Sequence, residues 1–113
     1  MEDKIISMAK ALGRALLLDE RSAELGAACK ANDEDEELQG AIKRYGELKS
    51  ELAKALDSGN SGDEISRLND ETGEQYEKIM QSAGMLRYAA AKKEADELLN
   101  WIFAIITTAM NGG

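Results

Sequence analysis

The sequence lacks proline, valine and histidine, and its 113 residues include one cysteine and three threonines. Strands favour β-branched and aromatic residues, so this scarcity argues against a β-sheet protein. The absence of proline, together with ten glycines, also argues against a collagen, a disordered linker or a loop-rich β-sandwich. At 113 residues and 12.3 kDa, we expect one domain spanning residues 1–113.

The missing residue types also exclude several kinds of chemistry. Without histidine, the chain lacks the common general base and the commonest transition-metal ligand. A single cysteine, Cys29, cannot form an internal disulfide or a multi-cysteine metal site, and it is expected to be a buried small hydrophobic residue. No pair of carboxylates is marked by the sequence for acid–base work. We therefore expect no enzyme activity, no catalytic residues, no metal and no cofactor.

The charge balance argues against direct nucleic-acid binding. The chain has 22 acidic and 14 basic side chains, for a formal charge of −8. Asp33–Glu37 lacks the ligand spacing of a calcium loop, and the twelfth position counted from Asp57 holds Leu68 instead of glutamate. We expect the acidic runs to cap helices and to cover solvated faces.

Nothing in the sequence indicates a targeting or membrane-spanning segment. Met1–Lys4 lacks the positive flank and apolar core of a signal peptide. The longest apolar-rich stretch, Leu98–Met110, is shorter than the roughly 20 residues that a spanning helix needs. We expect a soluble, cytoplasmic protein with no membrane insertion.

What the chain does contain favours helices: seventeen alanines, thirteen leucines and fourteen glutamates. Apolar residues spaced three and four apart predict helices over about residues 2–18, 20–31, 34–56, 63–82 and 85–110. Capping boxes are predicted at Asp33 with Glu36 and at Ser61 with Glu64.

Two alternatives stay open. The second helix can be separate, capped by Asp19 or Ser22, or it can continue the first with a bend near Asp19. Near Gly84 the chain can either kink or turn.

The first and last helices are predicted to associate between two copies of the chain. The last helix is apolar around more than half of its circumference after Leu98, so it needs cover on several sides. A second copy is the simplest cover, because two-fold dimers are the commonest oligomers. We therefore expect a homodimer with a shared core formed by Ile5, Met8, Leu12, Leu16, Leu98, Trp101, Ile102, Ile105, Ile106 and Ala109.

Three segments resemble a known family. The Ile-x-x-x-Ala-x-x-Leu-Gly pattern of residues 5–13 is followed by a short alanine-containing helix and an acidic cap. Residues 37–45 read Glu-Leu-Gln-Gly-Ala-Ile-Lys-Arg-Tyr, and residues 97–106 read Glu-Leu-Leu-Asn-Trp-Ile-Phe-Ala-Ile-Ile. In these features, over nearly its whole length, the chain resembles the YlbF/YmcA family of small bacterial helical regulators.

The resemblance implies an all-α fold, a small helical bundle with a long antiparallel helical hairpin, that is usually dimeric. It implies a non-catalytic regulator linked to competence, sporulation and biofilm development, with protein partners in an RNA-processing complex that involves ribonuclease Y. Some such complexes carry iron–sulfur clusters, for which this chain offers Cys29 alone. The alternative hypothesis is a structural helical oligomerisation or scaffold subunit with no role in RNA processing.

Overall fold

The computed structural model describes residues 3–113, and throughout that range the secondary structure is helical, without a strand. Five α-helices follow one another along the chain, as the apolar spacing predicts. They are α1 (Lys4–Leu17), α2 (Glu20–Glu34), α3 (Glu36–Asp57), α4 (Gly62–Met80) and α5 (Ala83–Met110). The predicted start of the first helix near Glu2 lies outside the described residues.

The first and second helices are separate, and Asp19 begins the second. The chain leaves helical geometry at Leu18 and Asp19. The Asp19 carboxylate accepts a hydrogen bond from the backbone N–H of Arg21 at 2.8 Å, and its carbonyl accepts from Ala23. Asp19 therefore satisfies backbone donors that the start of a helix leaves unpaired. Of the two predicted caps, Asp19 performs this role.

The predicted capping box at Asp33 and Glu36 is wrong. Helix α2 continues through Glu34, and the N-cap of α3 is Asp35, whose carboxylate accepts from the backbone N–H of Leu38 at 3.0 Å. The side chain of Gln39 also donates to the carbonyl of Asn32 at 2.8 Å, which joins the first turn of α3 to the last turn of α2. The tight α2–α3 junction thus uses the acidic residue two positions after the predicted one.

Helices α3 and α4 pack against each other around a buried apolar cluster. Leu48, Ala55 and Leu68 form a cluster against which Leu52 and Ile65 pack. The rings of Tyr45 and Tyr76 lie 5.8 Å apart, and Gln75 donates to the carbonyl of Ala41 at 3.0 Å. The spacing of three and four residues in α3 predicts an apolar stripe of Leu38, Ala41, Ile42, Tyr45, Leu48, Leu52, Ala55 and Leu56. Ile42 and Leu56 are exposed, and the other positions of this stripe are buried or half-buried.

A short loop links α3 to α4. Gly59 has a φ of +66°, a left-handed conformation that costs glycine little. It lets the N–H of Asn60 return to the carbonyl of Ala55, which satisfies an acceptor at the end of α3. Ser61 then accepts from the backbone N–H of Glu64 at 3.3 Å, as the predicted cap requires. The Glu64 side chain pairs with Arg67.

Near Gly84 the chain turns. Helix α4 ends at Met80, and α5 begins at Ala83 after Ser82, whose hydroxyl accepts from the backbone N–H of Met85 at 3.3 Å. A Cβ added to Gly84 would lie 2.3 Å from the side-chain oxygen of Asn32, so no larger residue fits there unless Asn32 moves. The glycine therefore marks a close approach of α5 to the end of α2.

The contacts divide the chain into two units. Unit 1 comprises Met1–Cys29 and Arg87–Gly113, and unit 2 comprises Lys30–Leu86. The boundaries fall inside α2 and α5. Among the described residues, no helix is both long enough and apolar enough to cross a membrane.

Candidate interaction surface

Unit 1 buries small side chains and exposes large ones. Its buried hydrophobic residues, within the described part of the chain, are all alanines: Ala28, Ala91 and Ala95. Its large apolar side chains at Ile5, Ile6, Met8, Leu12, Leu17, Leu18, Leu99, Trp101, Phe103, Ile105, Ile106 and Met110 are exposed. We call this set the α1/α5 surface. Single exposed apolar residues are ordinary, but a set of this size on two helices is typical of an interaction site.

The sequence of each helix explains this distribution. Helix α1, residues 4–17, has one apolar face. Its charged side chains are three basic ones, and none is acidic. The stretch Leu98–Met110 contains no charged residue, and its large side chains extend to both flanks of α5. Within the described part of unit 1, these large side chains on the two helices stay exposed.

The ten residues predicted for a shared core all lie on α1 or α5, and in the single chain none is buried. Leu16, Leu98 and Ile102 are half-buried. The others are exposed, with 75% of Ile5, 64% of Trp101 and 54% of Ile105 accessible, and Met8, Leu12, Ile106 and Ala109 also open to solvent. Their role in a dimer stays a prediction.

The structure brings some of these residues together. Leu16 and Leu98 line one apolar groove with Leu25, Ala95 and Leu99, where the end of α1 meets α2 and α5. A second shallow groove along the end of α5 is lined by Trp101, Ala104, Ile105, Thr108, Ala109 and Gly113. Five of the ten predicted residues therefore line one of these two grooves. The other five line neither groove: Ile5, Met8, Leu12, Ile102 and Ile106.

The prediction omitted several residues of the α1/α5 surface. Ile6, Leu17, Leu18, Leu99, Phe103 and Met110 are also exposed and apolar. They lie beside the ten predicted positions and widen the apolar arcs of α1 and α5. The width of the arc, which the sequence does show, was the signal that could have identified them.

Trp101 also borders an acidic depression. The depression is lined by Asp19, Glu20, Arg21, Glu94, Glu97, Leu98 and Trp101. Within it, Arg21 donates two side-chain hydrogen bonds to the Asp19 carboxylate, both 2.9 Å long. These bonds, with the backbone N–H of Arg21, lower the pKa of Asp19 to about 2. The same pair raises the pKa of Arg21. Asp19 therefore stays ionised and the pair adds no charge to the depression.

The basic residues at the start of α5 are largely paired within the chain. The Arg87 guanidinium lies 2.6 Å from the Glu24 carboxylate on α2, and Lys92 lies 2.7 Å from Asp96 one turn along. The hydrogen bond to Asp96 raises the pKa of Lys92. Exposed ion pairs of this kind stabilise the folded state by about 0–1 kcal/mol, so their main effect is on side-chain orientation. Because these basic side chains are paired within the chain, we interpret them as part of a solvated polar face and not as a docking site for an acidic partner.

No constellation for metal chemistry is formed by residues 3–113. These residues include no group of three cysteine, aspartate or glutamate side chains that could hold a metal ion. Cys29 is half-buried in α2, in a run that includes Ala27, Ala28 and Lys30.

Comparison with known proteins assigns the chain to a family. The sequence model of the family described as "Control of competence regulator ComK, YlbF/YmcA" matches residues 5–111. Searches of curated proteins and of solved structures each gave no match. The family match covers α1 through α5 and extends one residue past the last helix. By this match, the chain belongs to the YlbF/YmcA family of competence regulators.

Proposed function

We propose that the protein is a homodimeric, cytoplasmic, non-catalytic adaptor that regulates through contacts with other proteins. In this proposal residues 1–113 act as one helical domain. Helices α1 and α5 join two copies through the ten residues predicted for the shared core. Helices α3 and α4 form an antiparallel hairpin that is presented to other partners.

One observation supports this proposal above the others: in the described part of unit 1 the buried hydrophobic residues are alanines, while most of the large apolar side chains face solvent. Burying a large aliphatic or aromatic side chain is worth about 1.5–3 kcal/mol, and in the single chain the α1/α5 surface gains little of this. An isologous contact would bury these side chains, because a two-fold axis places the same apolar patch on both sides of the interface.

Unit 2 offers the second contact surface. It carries 14 acidic and seven basic side chains. It buries Leu38, Leu48, Leu68 and Ile79, while Ile42, Leu56, Tyr76, Met80 and Leu86 are exposed. A charged, preformed helical pair suits a protein partner with a basic face. Family membership supports a role in competence and related development. We propose that the partner complex modulates ribonuclease Y-dependent RNA processing.

The dimer is tested by light scattering on three variants. Ile102→Asp and Ile105→Asp place a charge where the proposal buries an isoleucine, so each variant is expected to elute as a monomer that keeps its helical circular dichroism. The matched control is Asn100→Asp on the opposite side of α5, which is expected to stay dimeric. A wild-type protein that is monomeric at all concentrations would contradict the proposed dimer.

The regulatory role is tested in the native host. Affinity purification at native expression level is expected to recover RNA-processing proteins, and deletion of the gene is expected to change the ends of selected transcripts. A strain that makes the Ile105→Asp variant is compared with the deletion strain. The comparison separates the effect of losing the dimer from the effect of losing the whole protein. If no such protein is recovered and transcript ends are unchanged, the adaptor role is wrong.

The α1/α5 surface also fits a structural scaffold, in which exposed apolar faces build an assembly. The same light-scattering measurement separates the two functions. A closed dimer has a fixed mass near twice that of the chain, whereas an open assembly grows with concentration.

A further inference from the structure

Helix α3 carries a second stripe of exposed residues beside the one that packs against α4. Its inward-facing positions, from Ala41 to Ala55, are each followed one residue later by a position of the second stripe. The second stripe alternates between spacings of four and three residues, which is typical of helix positions that contact a neighbouring helix. We call this set the α3 outer stripe: Ile42, Gly46, Lys49, Ala53 and Leu56.

Helix α4 repeats this arrangement. The positions one residue after its inward-facing ones, from Ile65 to Ile79, are again spaced three and four apart, and none of them is charged. We call this set the α4 outer stripe: Ser66, Asn69, Gly73, Tyr76 and Met80. In both helices the inward-facing stripe meets the other helix, whereas every position of the outer stripe is exposed. Two adjacent stripes of this spacing are typical of a helix with two helical neighbours.

The two outer stripes lie on the same side of the helix pair, and the Tyr45 ring joins them. The Lys49 ammonium of the α3 outer stripe lies 5.4 Å from the centre of this ring, and the Tyr76 ring of the α4 outer stripe lies 5.8 Å from it. In the proposed antiparallel hairpin, the common one-residue offset also turns both stripes to one side, because the helices run in opposite directions. We call this side the α3/α4 face.

The α3/α4 face has small residues in its middle and large apolar ones toward its ends. A Cβ added to Gly46 or Gly73 meets no atom within 4 Å, so the backbone of each helix is uncovered there. Toward the ends, 40% of Ile42, 46% of Tyr76 and 57% of Leu56 is accessible. A third helix laid between the stripes can therefore approach both backbones closely while it covers the large side chains.

The charges beside the α4 outer stripe favour a basic partner. One residue beyond each position of this stripe lie Arg67, Asp70, Glu74, Glu77 and Gln81. The Arg67 guanidinium pairs with Glu64 and Glu71, so its charge is compensated within α4. The carboxylates of Asp70, Glu74 and Glu77 form no ion pair within residues 3–113. Charges at such flanking positions select the partner helix, so this side favours lysine or arginine.

The charges beside the α3 outer stripe are balanced. The corresponding positions of α3 hold two basic residues, two acidic ones and a serine: Lys43, Glu47, Ser50, Lys54 and Asp57. Within the stripe itself, Lys49 disfavours a basic residue placed opposite it. The two sides of the face therefore differ, and a helix that fits both carries its basic residues along α4.

We propose that the α3/α4 face binds an amphipathic helix of a partner protein, with the basic flank of that helix along Asp70, Glu74 and Glu77. The inference rests on the proposed adaptor function and names the surface and the chemistry of its partner contact. Each outer stripe extends over about four helical turns, so the bound helix has at least that length. Its apolar stripe covers the exposed large side chains at both ends of the face.

The chemistry is tested with two synthetic helical peptides of about three heptads. Both carry a leucine stripe, which is flanked on one side by lysines in the first peptide and by glutamates in the second. Fluorescence anisotropy of the labelled peptides measures their binding to the full chain, and changes in ¹⁵N NMR shifts locate the contact. The lysine peptide is expected to bind about tenfold more tightly than the glutamate peptide and to shift residues of the two outer stripes.

The surface is tested by placing side chains on its uncovered middle. Gly46→Gln and Gly73→Gln obstruct the approach of a helix, so each is expected to weaken binding of the lysine peptide about tenfold. Gly40→Gln, which lies outside both stripes of α3, is the matched control and is expected to leave binding unchanged. Glutamine is a better helix former than glycine, so all three variants are expected to fold, which circular dichroism checks.

The acidic flank is tested by reversing its charge. A double variant with Asp70→Lys and Glu77→Lys is expected to prefer the glutamate peptide. The control, with Glu94→Lys and Glu97→Lys on α5, changes the net charge of the chain by the same amount and is expected to keep the preference for the lysine peptide. An equal change in both double variants means attraction by net charge alone and overturns the inference.

The remaining outcomes separate this inference from the adaptor function. Failure of both peptides to bind, or NMR shifts confined to unit 1, overturns the inference. A dimeric wild-type protein whose Gly73→Gln variant is monomeric by light scattering means that a second copy occupies the face, which also overturns it. In the native host, Gly73→Gln is expected to lose proteins that co-purify with the wild type. If it keeps them all, the adaptor function stands without this surface, and if the wild type recovers none, both proposals are wrong.

Discussion

The two units of the chain differ in which apolar side chains they bury. Unit 2 places Leu48 and Leu68 between α3 and α4, and it carries most of the chain's excess negative charge. Unit 1 is nearly balanced in charge, with eight acidic and seven basic side chains, and it buries alanines while its large residues face water. The comparison shows that unit 2 buries large apolar side chains within one chain, whereas in unit 1 a second copy would cover them only in the proposed dimer.

The largest expected effect concerns the core of unit 2. Leu68 is 3% exposed, so Leu68→Ala is expected to lower the free energy of unfolding by about 2–5 kcal/mol. The loss should be the same at low and high protein concentration, because the cavity lies within one chain. Urea unfolding followed by circular dichroism measures it. Leu56→Ala, on the exposed side of α3, is the control, and an equal loss there would contradict the proposed core.

A smaller effect, of a different kind, is expected in unit 1. Ile106 is half-exposed in the single chain, so Ile106→Ala should cost little in dilute solution. At concentrations where the dimer forms, the same substitution is expected to cost about 1–2 kcal/mol, because the side chain is then buried. Thermal unfolding across a hundredfold range of concentration measures the difference. A cost that does not depend on concentration would remove Ile106 from the interface.

A third prediction concerns the glycine at the start of α5. Gly84→Ala forces the Asn32 amide to rotate away from its contact with Met85, so a loss of about 1 kcal/mol is expected. In an Asn32→Ala background the same change should cost nothing, because the obstructing amide is gone. Gly73→Ala is the control: no atom lies within 4 Å of its new Cβ, so a gain of about 0.5–1 kcal/mol is expected. Additive losses for Asn32 and Gly84 would contradict the close approach.

The smallest effect is a pH dependence at the start of α2. The Arg21 side chain lowers the pKa of Asp19 to about 2 in the folded chain, below its ordinary value of about 3.9 when unfolded. A lowered folded-state pKa stabilises the protein above the unfolded pKa, and the contribution is lost as pH falls from about 4 to about 2. Carboxyl NMR titration should show the low pKa, and Arg21→Gln should raise it toward the ordinary value. An unchanged titration in the variant would exclude Arg21 as the cause.

Spacing alone was sufficient to predict the number of helices and most of the buried face of α3. The stripe through Leu38, Leu48, Leu52 and Ala55 is the core side of α3, and the wide apolar arc after Leu98 is exposed in one chain. The helix ends were harder to predict, because Asp33 and Asp35 are chemically equivalent caps. The choice between them depends on tertiary contacts: Gln39 bonds to Asn32, and Asn32 lies against Gly84, 52 positions along the chain.

The sequence predicts which face of each helix is apolar. It does not predict which of these faces are buried within the chain and which are exposed. Leu12 and Leu48 have the same side chain on similar amphipathic helices, yet one is exposed and the other buried. Leu48 of α3 packs in a cluster with Leu68 of α4, whereas Leu12 lies on an exposed face of α1. Periodicity identifies the apolar face of a helix. The tertiary fold determines whether another helix of the same chain buries that face.

The position of Trp101 gives the protein an intrinsic optical probe. It is the single tryptophan of the sequence, and its ring stands largely in water beside Glu94 and Glu97. Its fluorescence therefore reports on the local polarity at one flank of α5. A blue shift of emission on raising concentration, or on mixing with another protein, reveals when water leaves that flank without any added dye.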